Sequence, residues 1–209
     1  MAREPIPLTL ADFLARDQVA LVMWDFQKGL AGKALHASRV IAAAQKLLAA
    51  ADAAGVPVIW SRHVLPPLDV MSGPFKLFLM KKQKVTNPDD LAPAMQIGME
   101  ETEFVDGLAP AAHHIVLEKS QPSLFVDTPL ELRLHALGVK TIVLAGVATD
   151  IGIEFNARHA AARGFYSVIA EDATGSYTDA AQERSIAFLR SWTSPVVSTD
   201  EIIRRWEYK

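Results

Sequence analysis

Residues 145–164 read AGVATDIGIEFNARHAAARG, and this stretch decides the fold class. An apolar run at 139–145 has the length of a strand, a tight turn with a glycine at each end follows at 146–152, and a helical pattern continues to 163. A turn at the start of a helix presents backbone N–H groups that can hold an anion or a developing oxyanion. The unit therefore predicts a strand–turn–helix element with a small-molecule site at the turn.

The same alternation of strand and helix recurs along the chain. The strand-sized runs are near-continuous in apolar residues, which indicates a sheet buried on both faces, and we expect them at 19–24, 56–60, 115–117, 139–145, 166–170 and 195–197. Helical patterns lie between them at 38–54 (capped by Ser38), 129–137, 150–163, 179–192 and 199–206. This order predicts an α/β fold, a three-layer α/β/α sandwich with a six-stranded, mainly parallel sheet.

The segment 65–112 interrupts the rhythm. It contains six prolines and a basic cluster at Lys81, Lys82 and Lys84. Long excursions of this kind usually cover a site or build a subunit contact. We therefore expect one domain over 1–209, with 65–112 acting as a lid or as an oligomer contact.

Composition limits the function classes. The chain has 209 residues, a net charge of −3 and no basic run, which argues against nucleic acid or an anionic membrane as its partner. It contains no cysteine, so disulfides, thiolate metal sites and thiol nucleophiles are excluded. No apolar stretch is long enough to span a membrane. We expect a cytoplasmic protein with a small-molecule substrate.

Two strand ends carry opposite charges. Asp25 follows the first strand, and Lys119 ends the third. Open α/β sheets bind ligands in the crevice at the carboxyl ends of their strands. If the strand order is 2-1-3-4-5, then Asp25, Lys119 and the turn at 146–152 converge on one crevice, and this convergence predicts the catalytic site.

Four segments together resemble one family: WDFQKG at 24–29, EKSQPSLF at 118–125, GVATDIGIEFNARHA at 146–160 and VIAEDATGSY at 168–177. They are similar to the isochorismatase-like hydrolases, which include nicotinamidases and other cysteine amidases. In the amidase branch, the resemblance places a cysteine nucleophile at the position of Gly152, flanked by an aspartate that takes its proton and by a lysine. It also implies a non-proline cis peptide at 147–148 and a homo-oligomer.

The glycine leaves three hypotheses open. Isochorismatases, which hydrolyse a vinyl ether, also carry glycine at this position and keep the Asp and Lys, so Asp25 would be a general acid or base, Lys119 its electrostatic partner, and Gly152 would leave room for substrate. Alternatively, the chain binds a metabolite or protein without catalysis. In the third hypothesis, it is a cysteine amidase whose nucleophile has been replaced. Because burial and a neighbouring cation shift the pKa of an aspartate in opposite directions, the protonation state of Asp25 stays open.

Further residues are candidates for substrate binding. Aromatic side chains and an amide are expected to line the pocket, and the turn is expected to hold a carboxylate through its backbone. These residues are Trp24, Gln27, Trp60 and Phe125, together with Val147, Ala148, Asp150 and Ile151. His63 is a weak metal candidate because Ser61 stands where an Asp-x-His pair would need its carboxylate. We expect neither a metal nor a cofactor.

Overall fold

The computed structural model describes residues 6–192 and 194–207. Its sheet contains six strands: β1 (Val19–Trp24), β2 (Val58–His63), β3 (Ile115–Lys119), β4 (Thr141–Val147), β5 (Tyr166–Gly175) and β6 (Val196–Val197). Every neighbouring pair is parallel, and the spatial order is β3-β2-β1-β4-β5-β6. The order 2-1-3-4-5, which was the condition for the expected convergence, is not the one observed: β3 pairs with β2 at the sheet edge instead of lying between β1 and β4. The order still reverses between β1 and β4, where open sheets form their ligand crevice.

Helices cover both faces of the sheet. They are α1 (Leu10–Phe13), α2 (Ala37–Ala54), α3 (Gly73–Gln83), α4 (Leu130–Ala136), α5 (Glu154–Ala162), α6 (Asp179–Ser191) and α7 (Thr199–Glu207). One core layer joins α2 and α7 to alternate strand residues such as Leu21 and Val143. The other joins α4, α5 and α6 to the intervening residues, such as Val22 and Leu144. The predicted three-layer α/β/α sandwich is confirmed, and its sheet is entirely parallel.

The boundaries follow the predicted ones within a few residues, apart from β5. That strand was expected to end at 170 but continues to Gly175, because its polar residues at 171 and 172 interrupt the apolar run without ending the pairing. Helix α2 ends at Ala54, and Gly55 caps it in a left-handed conformation. Its N-terminal cap is His36 rather than Ser38.

The excursion at 65–112 has a small core of its own. Leu65, Met71 and Leu79 cluster there with Leu91 and Met95, and α3 lies within the segment. Sequence patterning missed α3 because its apolar residues do not form a single stripe. Among the described residues, no helix combines the length and the apolar character needed to cross a membrane.

Candidate active site

Asp25 lies at the end of β1, where the chain turns with a φ of +53°. The Ser61 hydroxyl donates a hydrogen bond of 2.5 Å to Asp25 Oδ1 and accepts one of 2.9 Å from the Asp25 backbone N–H. The Lys119 ammonium donates to the other oxygen, Oδ2, at 2.6 Å. Both side chains of this ion pair are buried. Asp25 is therefore held as a hydrogen-bond acceptor on both oxygens, which is the pattern of a carboxylate.

Lys119 reaches Asp25 across β2. It pairs in register with His63, the last residue of β2, and its Nζ lies 3.3 Å from His63 Nδ1. The same nitrogen lies 4.0 Å from the centroid of the Trp24 ring. Burial lowers the pKa of Lys119 below its usual range, and the nearby Asp25 carboxylate opposes this effect. The length of the lysine side chain explains how the predicted Asp25–Lys119 contact forms despite the different strand order.

His63 is a neutral acceptor in this cluster. Burial, followed by the positive charge of Lys119, lowers its pKa from 6.5 to about 4. With Lys119 donating to Nδ1, that nitrogen is occupied. The imidazole therefore helps to orient the lysine, a role that differs from the metal ligand considered from the sequence.

The shifted pKa of His63 predicts how stability varies with pH. Between pH 6.5 and about 4, His63 is protonated in the unfolded chain but stays neutral in the folded protein. The free energy of unfolding should therefore fall as the pH falls through this window. Because a glutamine at 63 keeps an acceptor for Lys119 and does not titrate, the His63→Gln variant should lose less stability over the same window. Urea denaturation at several pH values measures both curves. His113→Gln, at an exposed histidine, is the control, and parallel curves for wild type and His63→Gln would contradict the assignment.

Gly152 does not leave an empty space. A Cβ added there would lie 2.0 Å from Trp24 Nε1 and 2.3 Å from Trp24 Cε2. The expectation that this glycine makes room for a substrate is therefore wrong, because the indole of Trp24 already fills the position. Trp24 itself is buried in the layer beneath α5.

The turn before α5 differs in part from expectation. Its cis peptide at Val147–Ala148 is confirmed, and residues Thr149–Ile153 form one π-helical turn. The N–H groups of Ile151 and Gly152 donate to the Ala148 carbonyl at 3.2 and 2.9 Å. The predicted anion grip by these amides is wrong in this conformation, because the turn satisfies them internally.

Other candidates are placed differently. The Gln27 amide is occupied by backbone groups: it donates to the carbonyls of His63 and Thr102 at 3.0 Å each and accepts from the His63 N–H at 2.6 Å. Trp60 and Val147 pack into the opposite layer, with α2. These three side chains are thus corrected from substrate-binding to structural positions. Phe125 lies in the same layer as Trp24.

The structure adds residues that sequence reasoning missed or left among weak candidates. Tyr177 is half-buried, and its pKa is raised to about 12, first by burial and then by the negative charges of Asp25 and Asp150. Lys82 Nζ lies 5.3 Å from the centroid of the Tyr177 ring, which brings α3 to this crevice.

Ser176 Oγ donates to Asp150 Oδ1 at 2.7 Å and fixes that carboxylate. Asp150 is partly exposed and Ile151 is exposed, whereas Ala148 is buried. The sequence feature that could have identified Tyr177 is the segment VIAEDATGSY at 168–177, which ends with this residue.

Within the described ranges, one cluster has ligand spacing typical of a metal site: Asp52, His113 and His114. His114 Nδ1 accepts hydrogen bonds from Trp60 Nε1 at 3.1 Å and from the Ala111 N–H at 2.9 Å. The proton of this neutral imidazole must therefore sit on Nε2, which donates to Asp52 at 2.8 Å. A protonated nitrogen cannot bind a metal, so the hydrogen bonding fits a structural role.

Comparison with known proteins identifies the class. Residues 19–201 match the Isochorismatase domain family, and the chain belongs to this family of hydrolases. It is 33% identical over 192 residues to the uncharacterized isochorismatase family protein YecD of Escherichia coli O157:H7, covering 88% of this chain and 94% of that protein. It is 31% identical over 194 residues to the maleamate amidohydrolase of Pseudomonas putida, covering 89% and 85%.

Another relative is the ureidoacrylate amidohydrolase RutB of Methylobacterium radiotolerans, which is 33% identical over 141 residues. That match covers 65% of this chain and about half of the relative, 54%. Among solved structures, a cysteine hydrolase from Pseudomonas syringae superposes with a TM-score of 0.81 at 24% identity, covering 98% of this chain and 96% of that one. At this identity, the likeness establishes the fold.

Proposed function

We propose that the protein hydrolyses a small carboxylate-bearing substrate with water as the nucleophile, Asp25 as the general base and Lys119 as its electrostatic partner. The observation that carries this proposal is the buried Asp25 carboxylate, which accepts hydrogen bonds on both oxygens next to a position that has no nucleophilic side chain. Without a cysteine anywhere in the chain, the acyl-enzyme route through a thiolate is closed.

For an amide substrate, the reaction balances with these residues alone. Asp25 accepts a proton from a water molecule, and the resulting hydroxide attacks the amide carbonyl. The C–N bond then breaks as the proton passes from Asp25 to the leaving nitrogen, which gives a carboxylic acid and ammonia; the acid transfers its proton to ammonia, and the final products are a carboxylate and ammonium. The names of two relatives, maleamate amidohydrolase and ureidoacrylate amidohydrolase, support an amide of a small carboxylic acid.

A vinyl ether is the alternative substrate, because isochorismatases combine the same Asp–Lys pair with glycine. That chemistry requires Asp25 to donate a proton at the start of the reaction. Both Asp25 oxygens already accept hydrogen bonds, from Ser61 and Lys119, so neither oxygen is placed to donate a proton first. This arrangement favours the amide.

A substrate panel tests the proposal. Purified protein is incubated with maleamate and ureidoacrylate while ammonia is measured, and with isochorismate while pyruvate is measured. We expect ammonia from at least one amide. Release of pyruvate alone would indicate that Asp25 acts as a general acid on a vinyl ether, and would contradict base catalysis on an amide. A thermal shift with these compounds and no product from any of them would favour the non-catalytic binding protein, for which the missing nucleophile is the supporting observation.

The apolar surface of the excursion supports the proposed homo-oligomer. Val70, Leu77 and Ile97 are more than half exposed there, and Phe78 is 43% exposed. These side chains favour 65–112 as the subunit contact in this proposal.

A further inference from the structure

The ammonium of Lys119 has no donor to spare for a substrate. An ammonium group carries three N–H donors. In this structure, Nζ faces three partners: Asp25 Oδ2 at 2.6 Å, His63 Nδ1 at 3.3 Å and the face of the Trp24 ring, whose centroid lies at 4.0 Å. A substrate oxygen could bind Lys119 only by displacing one of them. The donor that stabilises the substrate must therefore come from another residue.

Trp24 carries an unused donor at the right place. Its Nε1 lies 2.0 Å from the point where a Cβ of residue 152 would stand, which is where the family resemblance locates a nucleophile. None of the side-chain hydrogen bonds among the described residues has this N–H as its donor, and the atom is not one of the fully buried polar atoms that lack a partner. It therefore keeps some accessible surface, although the residue as a whole is only 1% exposed. An accessible N–H without an acceptor in the protein can donate a hydrogen bond to an oxygen of a bound molecule.

We propose that Trp24 is a catalytic residue of this site, whose indole N–H donates a hydrogen bond to an oxygen of the bound substrate. The indole occupies the volume that a side chain at 152 would fill. It thus places a hydrogen-bond donor where the family resemblance locates a nucleophile. Developing negative charge on a carbonyl oxygen strengthens such a hydrogen bond, and removing one donor of this kind typically slows a reaction by roughly 10²–10³-fold. The inference rests on the proposed function, since it requires a substrate with a carboxylate or an amide oxygen.

The indole N–H can be observed directly by NMR. Trp24 is one of four tryptophans, so a ¹⁵N spectrum of the full chain contains few indole signals, and the signal that disappears in Trp24→Phe assigns Trp24. The probe is maleate, which resembles maleamate but has no amide to hydrolyse. At saturating maleate, we expect the Trp24 signal to shift while the exposed Trp192, outside the crevice, stays in place as the internal reference.

Ammonia release from maleamate is measured in parallel, so that the two proposals are judged separately. A shifted Trp24 signal without ammonia keeps Trp24 as a ligand donor and rejects hydrolysis. Ammonia without a shift keeps the enzyme and overturns the role of Trp24. If neither is seen, both proposals fail for this class of substrate.

A kinetic comparison adds a second readout. Phenylalanine keeps an aromatic ring beside Lys119 but has no N–H. We expect Trp24→Phe to lower kcat by roughly 10²–10³-fold, with a smaller change in KM, because the hydrogen bond is strongest when charge develops. Far-UV circular dichroism verifies that the variant is folded. An unchanged kcat in the folded variant would overturn the proposal.

Discussion

Replacing Asp25 by asparagine is expected to abolish hydrolysis and to weaken the fold measurably. Asparagine has almost the same shape but cannot take a proton from water, and general base catalysis contributes roughly 10²–10⁴-fold in rate. The change also leaves the buried Lys119 ammonium without a counter-charge. Breaking a buried ion pair by removing one partner costs about 3–5 kcal/mol. Ammonia release and urea denaturation measure the two effects.

The neighbouring pair provides a matched control. Glu118 lies next to Lys119 in β3 and approaches Arg62 at 3.5 Å, but both side chains are partly exposed. Glu118→Gln should change the free energy of unfolding by less than about 1 kcal/mol, because surface ion pairs contribute little. An Asp25→Asn variant that resembled this control in both rate and stability would contradict the proposed centre.

Replacing Gly152 by cysteine is expected to destabilise the protein without creating an amidase. The new Cβ would lie 2.0 Å from Trp24 Nε1, and that indole is buried between Lys119 and the layer beneath α5. Because a rigid ring cannot move aside cheaply, we expect a loss of roughly 3 kcal/mol, the upper end of the usual cost of overpacking. Chemical denaturation measures the loss, and the maleamate assay should show no gain in ammonia release.

Gly73→Cys is the control, since a Cβ at this exposed helical position meets nothing within 4 Å. Gly73→Cys should lower the free energy of unfolding by less than Gly152→Cys does. Adding Trp24→Leu to Gly152→Cys should recover part of the lost stability by opening the space. A single Gly152→Cys variant as stable as wild type and active on amides would instead favour the hypothesis of a cysteine amidase whose nucleophile has been replaced.

The sheet was predictable from the sequence because buried parallel strands leave continuous apolar runs. β1 has its predicted bounds, 19–24. Strand order was not predictable, because β3 can pair with β2 or with β4 without any change in its own pattern. Asp25 and Lys119 were still paired correctly, since each follows from its place at a strand end.

The finer geometry depends on side chains that sequence patterns do not connect. Ser61 was noted only as a missing metal ligand, yet its hydroxyl bridges the backbone and the carboxylate of Asp25. The contact between Trp24 and Gly152 joins residues 128 positions apart and depends on the rotamer of an indole. Spacing along the chain contains no information about such a contact.

The hydrogen bonds of Gln27 hold the excursion at 65–112 at two points. One amide side chain binds the backbone at His63, before the excursion, and at Thr102, near its end. The residue two places after Asp25 thus holds the chain at the start of the excursion and at a point within it. If this segment opens for a substrate, we expect the movement between these two points, where α3 carries Lys82 over Tyr177, and we expect Asp25 to stay in position.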